Sequence, residues 1–271
     1  MSSPPVDQDE PVVKVGLKVV GVTAVVLLVL FGLYWGGKKL LLTPGADEED
    51  KGAAPVQVRL DCPPEQVYTD LQEAFKNPDN VCELDLSNQE LEALPNEIYV
   101  FKELAILNAS NNRLAELTPY IGYLTKMTTL DLSHNQLIDM PSQIGHLKEM
   151  RYLDLRDNQL PMFIIWAAYM NKLESLNLEN NKIQVVDGSI GLVTGLTELN
   201  LRGNVLTTIA EQIGYLNKLK LFDLRDNRLV SLPARMDMLQ AMELLKLSGN
   251  PLPQEEVDRV RNVLPNATVN F

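Results

Sequence analysis

From Val81 onward the chain realigns with itself every 23 residues, and this period constrains the fold more than any other feature. Seven units begin at Val81, Leu104, Met127, Met150, Leu173, Leu196 and Leu219, without insertion or deletion, and a truncated eighth begins at Met242. The third unit reads MTTLDLSHNQLIDMPSQIGHLKE and the seventh LKLFDLRDNRLVSLPARMDMLQA. Apolar residues recur at positions 1, 4, 6, 11, 14, 18 and 21 of each unit. Positions 3 to 7 alternate, which predicts a short strand with one buried face; Leu130 and Leu132 then point inward. A single unit cannot bury its own apolar side. Neighbours must therefore stack into a quasi-one-dimensional coil.

Asn fills position 9 in most units, from Asn112 and Asn135 to Asn250. Its amide can bond backbone groups where the chain turns sharply, and the stacked units would make these amides a ladder. An outer segment of the form L-P-x-x-I-G-x-L follows, opened by Pro95, Pro141 and Pro233 and turned back at Gly122, Gly145, Gly191 and Gly214. The pattern LxxLxLxxNxLxxLPxxIGxLxx resembles the leucine-rich repeat family, in its bacterial and Ras-group types with 23-residue repeats, over residues 63–271. The resemblance implies an α/β fold: a right-handed solenoid with a parallel concave sheet and short helical or extended convex turns. Eight strands about 4.8 Å apart would make a sheet roughly 35 Å across.

The ends of such a stack need covers. Residues 61–80 place Val67, Leu71 and Phe75 at helical spacing before Asn77-Pro78, which predicts an amphipathic cap helix. Residues 81–250 hold the repeats. Residues 251–271 place Val257, Val260 and Leu264 on one helical face before a short terminal strand.

Upstream, residues 1–18 form a short polar tail and residues 19–39 hold the run VVGVTAVVLLVLFGLYWGG, 19 residues without a charge. At about 1.5 Å per residue such a helix spans roughly 28 Å, close to a hydrocarbon core. Lys14 and Lys18 precede the run, Lys38 and Lys39 follow it, and Tyr34 and Trp35 sit at one edge, where headgroups meet amphipathic rings. The acids before it and the lack of an A-x-A site argue against a cleaved leader. The run is expected to be a retained single-pass transmembrane helix, with Gly32 and Gly36 suited to pairing with another helix. Residues 40–60 read as a flexible acidic tether. An uncleaved N-terminal anchor usually leaves its short tail inside, so the repeats are expected outside the cytoplasm, on the periplasmic side if the source is bacterial. Cys62 and Cys82 suit either a disulfide in an oxidising compartment or two free thiols.

The formal charge is −12, and residues 1–51 carry only five lysines and seven acids, so the repeats hold most of the excess. An acidic domain repels phosphate backbones, which disfavours nucleic acid as a partner. No phosphate-cradling glycine loop, zinc-ligand cysteine spacing or cofactor motif is present. No cofactor or metal is expected, and the chain is not expected to be an enzyme. The expected function is a membrane-anchored scaffold that binds other, membrane-associated proteins. The alternatives are an accessory subunit of a larger membrane complex and a regulator that recruits a phosphatase or small GTPase.

Two surfaces are candidates. On the concave side, position 5 carries Asp131 and Asp154, and position 7 carries Arg156, Arg202 and Arg225, groups suited to charged partner segments. These ions could equally pair among themselves. On the convex side, FIIWAAYM places Ile164, Ile165 and Trp166 at positions that are mostly polar in other units, with Tyr120 and Tyr169 nearby. Outward-facing, these five would form an apolar contact patch. The rival is inward packing of Ile165 or Trp166, because Ala167 is smaller than the usual Ile.

Overall fold

The computed structural model describes residues 66–271 apart from Ile164; for Ile165 it describes the backbone alone. The uncharged run, the tether, Cys62 and the Gly32–Gly36 pair lie outside the described residues. Among the described residues no helix is long and apolar enough to cross a membrane.

Each unit contributes one three-residue strand. These are β2 (Glu83–Asp85), β3 (Ile106–Asn108), β4 (Thr129–Asp131), β5 (Tyr152–Asp154), β6 (Ser175–Asn177), β8 (Glu198–Asn200), β10 (Leu221–Asp223) and β11 (Leu244–Lys246). All pair in parallel, with Leu107 opposite Leu130 and Leu130 opposite Leu153. Partners are thus one period apart. A one-residue slip would turn every inward leucine to solvent, so the period fixes the register. Positions 4 and 6 are buried all along the stack, from Leu84 and Leu86 to Leu245 and Leu247, in one continuous apolar core. Short 3-10 turns such as Pro119–Tyr123 and Ser142–His146 form the outer side. A second, two-stranded parallel sheet pairs β7 (Val185–Val186) with β9 (Thr208–Ile209).

The sheet has ten strands rather than eight, because both covers add one. At the N-terminal end β1 (Val67–Tyr68) pairs with β2, and only α1 (Leu71–Lys76) is helical, capped by the Asp70 carboxylate on the Glu73 N–H at 2.9 Å. Val67 therefore belongs to a strand and not to the expected helix. An edge strand satisfies the open backbone groups of β2, which a helix laid across them could not. Leu71 and Phe75 still pack on the core, Phe75 stacking on Phe101 with ring centroids 5.0 Å apart. At the other end α2 (Gln254–Val263) buries Val257 and Val260, and β12 (Thr268–Asn270) closes the sheet against β11.

The asparagine ladder joins one coil to the next. Asn158 donates its amide to the carbonyls of Leu132 (2.9 Å), Leu155 (3.0 Å) and Arg156 (3.2 Å) and accepts the Leu137 N–H at 3.0 Å. Leu132 and Leu137 belong to the preceding unit, so each asparagine ties two coils through buried backbone groups. Asn135, Asn181, Asn204 and Asn227 repeat this pattern.

Position 8, which precedes the ladder asparagine in every unit but the first, has positive φ in every unit, from Asn88 (59°) through His134 (52°) to Gly249 (75°). The residues there are Asn, Asp, His or Gly, three of which tolerate the left-handed region best. At Gly203 a Cβ would stand 2.1 Å from the Asn180 amide oxygen, so glycine is required by space as well as by φ.

Candidate recognition face

The concave side is built by the outward residues of the strands and the turn after them. In the seven full units position 5 is occupied by Asp or Asn, for a local reason that the alternation alone does not reveal; the truncated eighth has Lys246 there. Asp131 accepts the Ser133 N–H at 2.9 Å, Asp154 the Arg156 N–H at 3.0 Å, and Asn177 the Glu179 N–H at 3.1 Å. One side-chain oxygen at each position thus caps the turn that ends the strand, leaving the rest of the group facing out. This column is a structural device first and a charged surface second.

Asp131 and Asp154 face each other across paired strands. Burial, and then the Asp131 charge, push the Asp154 carboxyl up to about 7, against the opposing pull of Arg156 and the hydrogen bond from Asn177. A carboxyl whose folded-state pKa exceeds its unfolded value holds its proton more tightly when folded. Its contribution to stability is therefore present below about pH 4 and lost as pH rises through about 7. Asp154→Asn keeps an oxygen for the Arg156 N–H and removes the charge, as Asn177 does one strand along. The variant is expected to be more stable than the parent by about 2–3 kcal/mol above pH 7 and indistinguishable from it at pH 4. Urea unfolding at the two pH values measures this.

The arginines of position 7 are engaged within the chain. Arg225 holds Asp223 at 2.7 Å, and Lys246 approaches the same carboxylate at 3.4 Å. Arg202 bridges Glu179 at 3.6 Å and Asp226 at 3.0 Å, and Arg156 lies 3.6 Å from Asp154. The concave face is thus a lattice of fixed, alternating charge. It has two parts: position 7 holds Ser87, Ser110 and Ser133 in the first three units, and Arg156, Glu179, Arg202 and Arg225 in the next four. His134 sits on the rim with Nδ1 3.3 Å from Asp157, whereas His146 lies on an outer turn, so the two histidines form no pair.

On the convex side the structure corrects one expectation. Trp166 is buried, 5% exposed, among the core residues that include Phe163, Ala167 and Met170. Position 18 holds isoleucine or methionine in the other six full units and only Ala167 here, so the indole fills volume that a longer side chain fills elsewhere. Trp166 is not part of an exposed patch. Ile164 and the Ile165 side chain lie outside what is described. Tyr120 and Tyr169 are exposed, as expected, but Tyr120 belongs to a separate cluster with Tyr99 and Tyr123. Cys82 is disulfide-bonded, and the only other cysteine of the sequence, Cys62, lies outside the described residues.

A sequence profile of the family described as Leucine rich repeat matches residues 102–160 and 194–252. Residues 102–160 and 194–252 are thus matched as leucine-rich repeats, and the parallel sheet, the one-period register and the amide ladder carry the same fold through the units between and around them. Among solved structures, the repeats are similar to internalin C2 of Listeria monocytogenes (23% identity, TM-score 0.61, 72% of this chain and 83% of that one). They are also similar to the plant peptide hormone receptor RGFR1 in complex with RGF2 (25%, TM-score 0.56, 66% and 30%). A third similarity is to TLR13 in a complex with ssRNA13 (21%, TM-score 0.65, 76% and 30%). The chain thus spans most of the internalin but under a third of either receptor. No curated protein sequence matches it.

Proposed function

We propose that this leucine-rich repeat chain is a membrane-anchored, non-enzymatic module that binds other proteins through its concave face. One observation carries the reading: the parallel sheet presents a column of Asp and Asn held by backbone N–H groups, and over units four to seven Arg156, Arg202 and Arg225 are paired with acids of the same face. Preorganised charge favours recognition because little is spent on ordering it at the moment of contact. The RGFR1 complex is a case in which a repeat protein of this kind holds a peptide hormone. The acidic excess of the chain disfavours a phosphate backbone as the ligand, although TLR13 takes ssRNA.

The uncharged run at 19–37, with lysines on both sides, supports the anchor, and confinement to a surface raises effective concentration towards other membrane components. The disulfide at Cys82, for which Cys62 is the only partner within the chain, supports an oxidising compartment and so repeats outside the cytoplasm. An accessory subunit is the second reading, favoured by the row of exposed aromatics described below.

Extraction of the full chain in mild detergent, followed by pull-down across a salt series, tests this. A partner released by salt is the expected outcome for a recruiting module, because the contacts are charged and screened. A stoichiometric partner that survives high salt identifies an accessory subunit instead. Failure to recover any protein partner at low salt contradicts both.

A further inference from the structure

Position 20 of the repeat lies on the outer turn, between the turn glycine and the inward residue of position 21. In six successive units it holds Tyr123, His146, Tyr169, Leu192, Tyr215 and Met238. All six are exposed, the five apolar or aromatic ones by 45 to 63%. Single exposed apolar residues are ordinary on any surface, whereas six in one register are not scatter. Because the units stack, a single register is a continuous line along the domain. Tyr99 and Tyr120 widen the line at its N-terminal end, their rings 5.7 Å apart and 6.4 and 6.1 Å from that of Tyr123.

Cations lie over these rings. The Lys102 ammonium stands 5.2 Å from the Tyr99 centroid and 5.7 Å from that of Tyr123, Lys148 stands 5.3 Å from Tyr169, and the Arg235 guanidinium 5.4 Å from Tyr215. Positions 15 to 23 of the seven units carry six bases against six acids, so this side is neutral while the excess of acid lies elsewhere. Amphipathic rings with a polar tip, interleaved with long cationic stems on a neutral surface, suit the boundary between water and acyl chains.

The geometry points to a lipid headgroup surface as the occupant of this line, with the repeats lying along the membrane on their position-20 edge. The inference rests on the anchoring proposed above and adds an orientation to it. Chain order favours the lipid. The described chain begins at Gln66, at the end of the stack whose first two outer turns carry Tyr99, Tyr120 and Tyr123. Residues 40–65 join the uncharged run to Gln66 and, fully extended, span at most about 90 Å. A bilayer is therefore held within reach of the aromatic end, at high effective concentration. Docking along this edge leaves the concave charges free for a protein partner.

Hydroxyl-radical footprinting of the full chain reads tyrosine accessibility one residue at a time, without a variant that could fail to fold. The chain is compared in phosphatidylcholine nanodiscs and in a lipid-free amphipol belt, and flotation with lipid reports the anchor separately. The expected result is a severalfold drop in oxidation of Tyr123, Tyr169 and Tyr215 in nanodiscs, with Val230 and Phe271 unchanged. Flotation with unchanged tyrosine oxidation overturns the lipid-facing line and leaves the anchor standing. Protection that appears equally in amphipol and grows with protein concentration assigns the line to a second copy, which also overturns it. A chain that neither floats nor shows protection removes the anchor and the orientation together.

Discussion

Trp166→Ala is expected to lower the unfolding free energy of the repeats by about 3–5 kcal/mol, the range for truncating a large buried aromatic. The indole is almost wholly enclosed and replaces the bulk that Ala167 lacks, so its removal leaves a cavity between the fourth coil and its neighbours. Those neighbours cannot collapse into it, since their turns are already in close contact: a Cβ added at Gly145 would stand 3.3 Å from the Trp166 carbonyl oxygen. Urea unfolding followed by circular dichroism measures the loss. A change below about 0.5 kcal/mol, the size typical of a surface substitution, would return Trp166 to the surface and reinstate it as a contact residue.

Asn158→Ala is expected to cost about 2–3 kcal/mol, although it removes a polar side chain and adds no strain. Four hydrogen bonds disappear: the Leu132 and Leu155 carbonyls keep a second amide, from Asn135 and Asn181, but the Leu137 N–H loses its partner in a buried turn. Each buried group left unpaired costs roughly 1–3 kcal/mol. Because a solenoid is held by intrinsic and nearest-neighbour terms, weakening one central junction is also expected to broaden the transition or split it in two. A variant that unfolds as one sharp transition at the parent's midpoint would show that the ladder does not join the coils.

The central architecture was legible because one period of 23 specifies burial, register and turns simultaneously. Once Leu107, Leu130 and Leu153 occupy the same slot, parallel pairing at that offset is the arrangement that buries all of them. The asparagine ladder was legible for the same reason. The C-terminal cover followed from helical spacing alone. The N-terminal cover did not, because Val67, Leu71 and Phe75 fit helical spacing while the open edge of β2 demands a strand partner for Val67 and Tyr68.

Within the candidate site, the charges and the option of pairing among themselves were legible, whereas the turn-capping role of position 5 was not. Asp131 and Asp154 stand at a position where an oxygen must receive the N–H two residues ahead, a role common to Asp and Asn that the mixture of the two could have disclosed. The left-handed residue before each asparagine was likewise signalled by Asn, Asp and Gly recurring at position 8. Slot number placed Trp166 outward, against the rival of inward packing beside the small Ala167, and the rival is what the structure shows. The deciding quantity was volume: the small Ala167 beside it left space that an indole fills.

The most direct test of the recognition account removes concave charge without touching the fold. Asp131→Asn keeps the oxygen that receives the Ser133 N–H, as Asn108 and Asn177 already do at that position, and Arg202→Gln removes an exposed guanidinium. In the full chain the double substitution is expected to leave the unfolding midpoint unchanged or raised, since it relieves the Asp131 repulsion on Asp154, and to weaken capture of the protein partner at least tenfold, about 1.4 kcal/mol. Undiminished capture by a double variant that folds like the parent would contradict the assignment of recognition to the concave sheet.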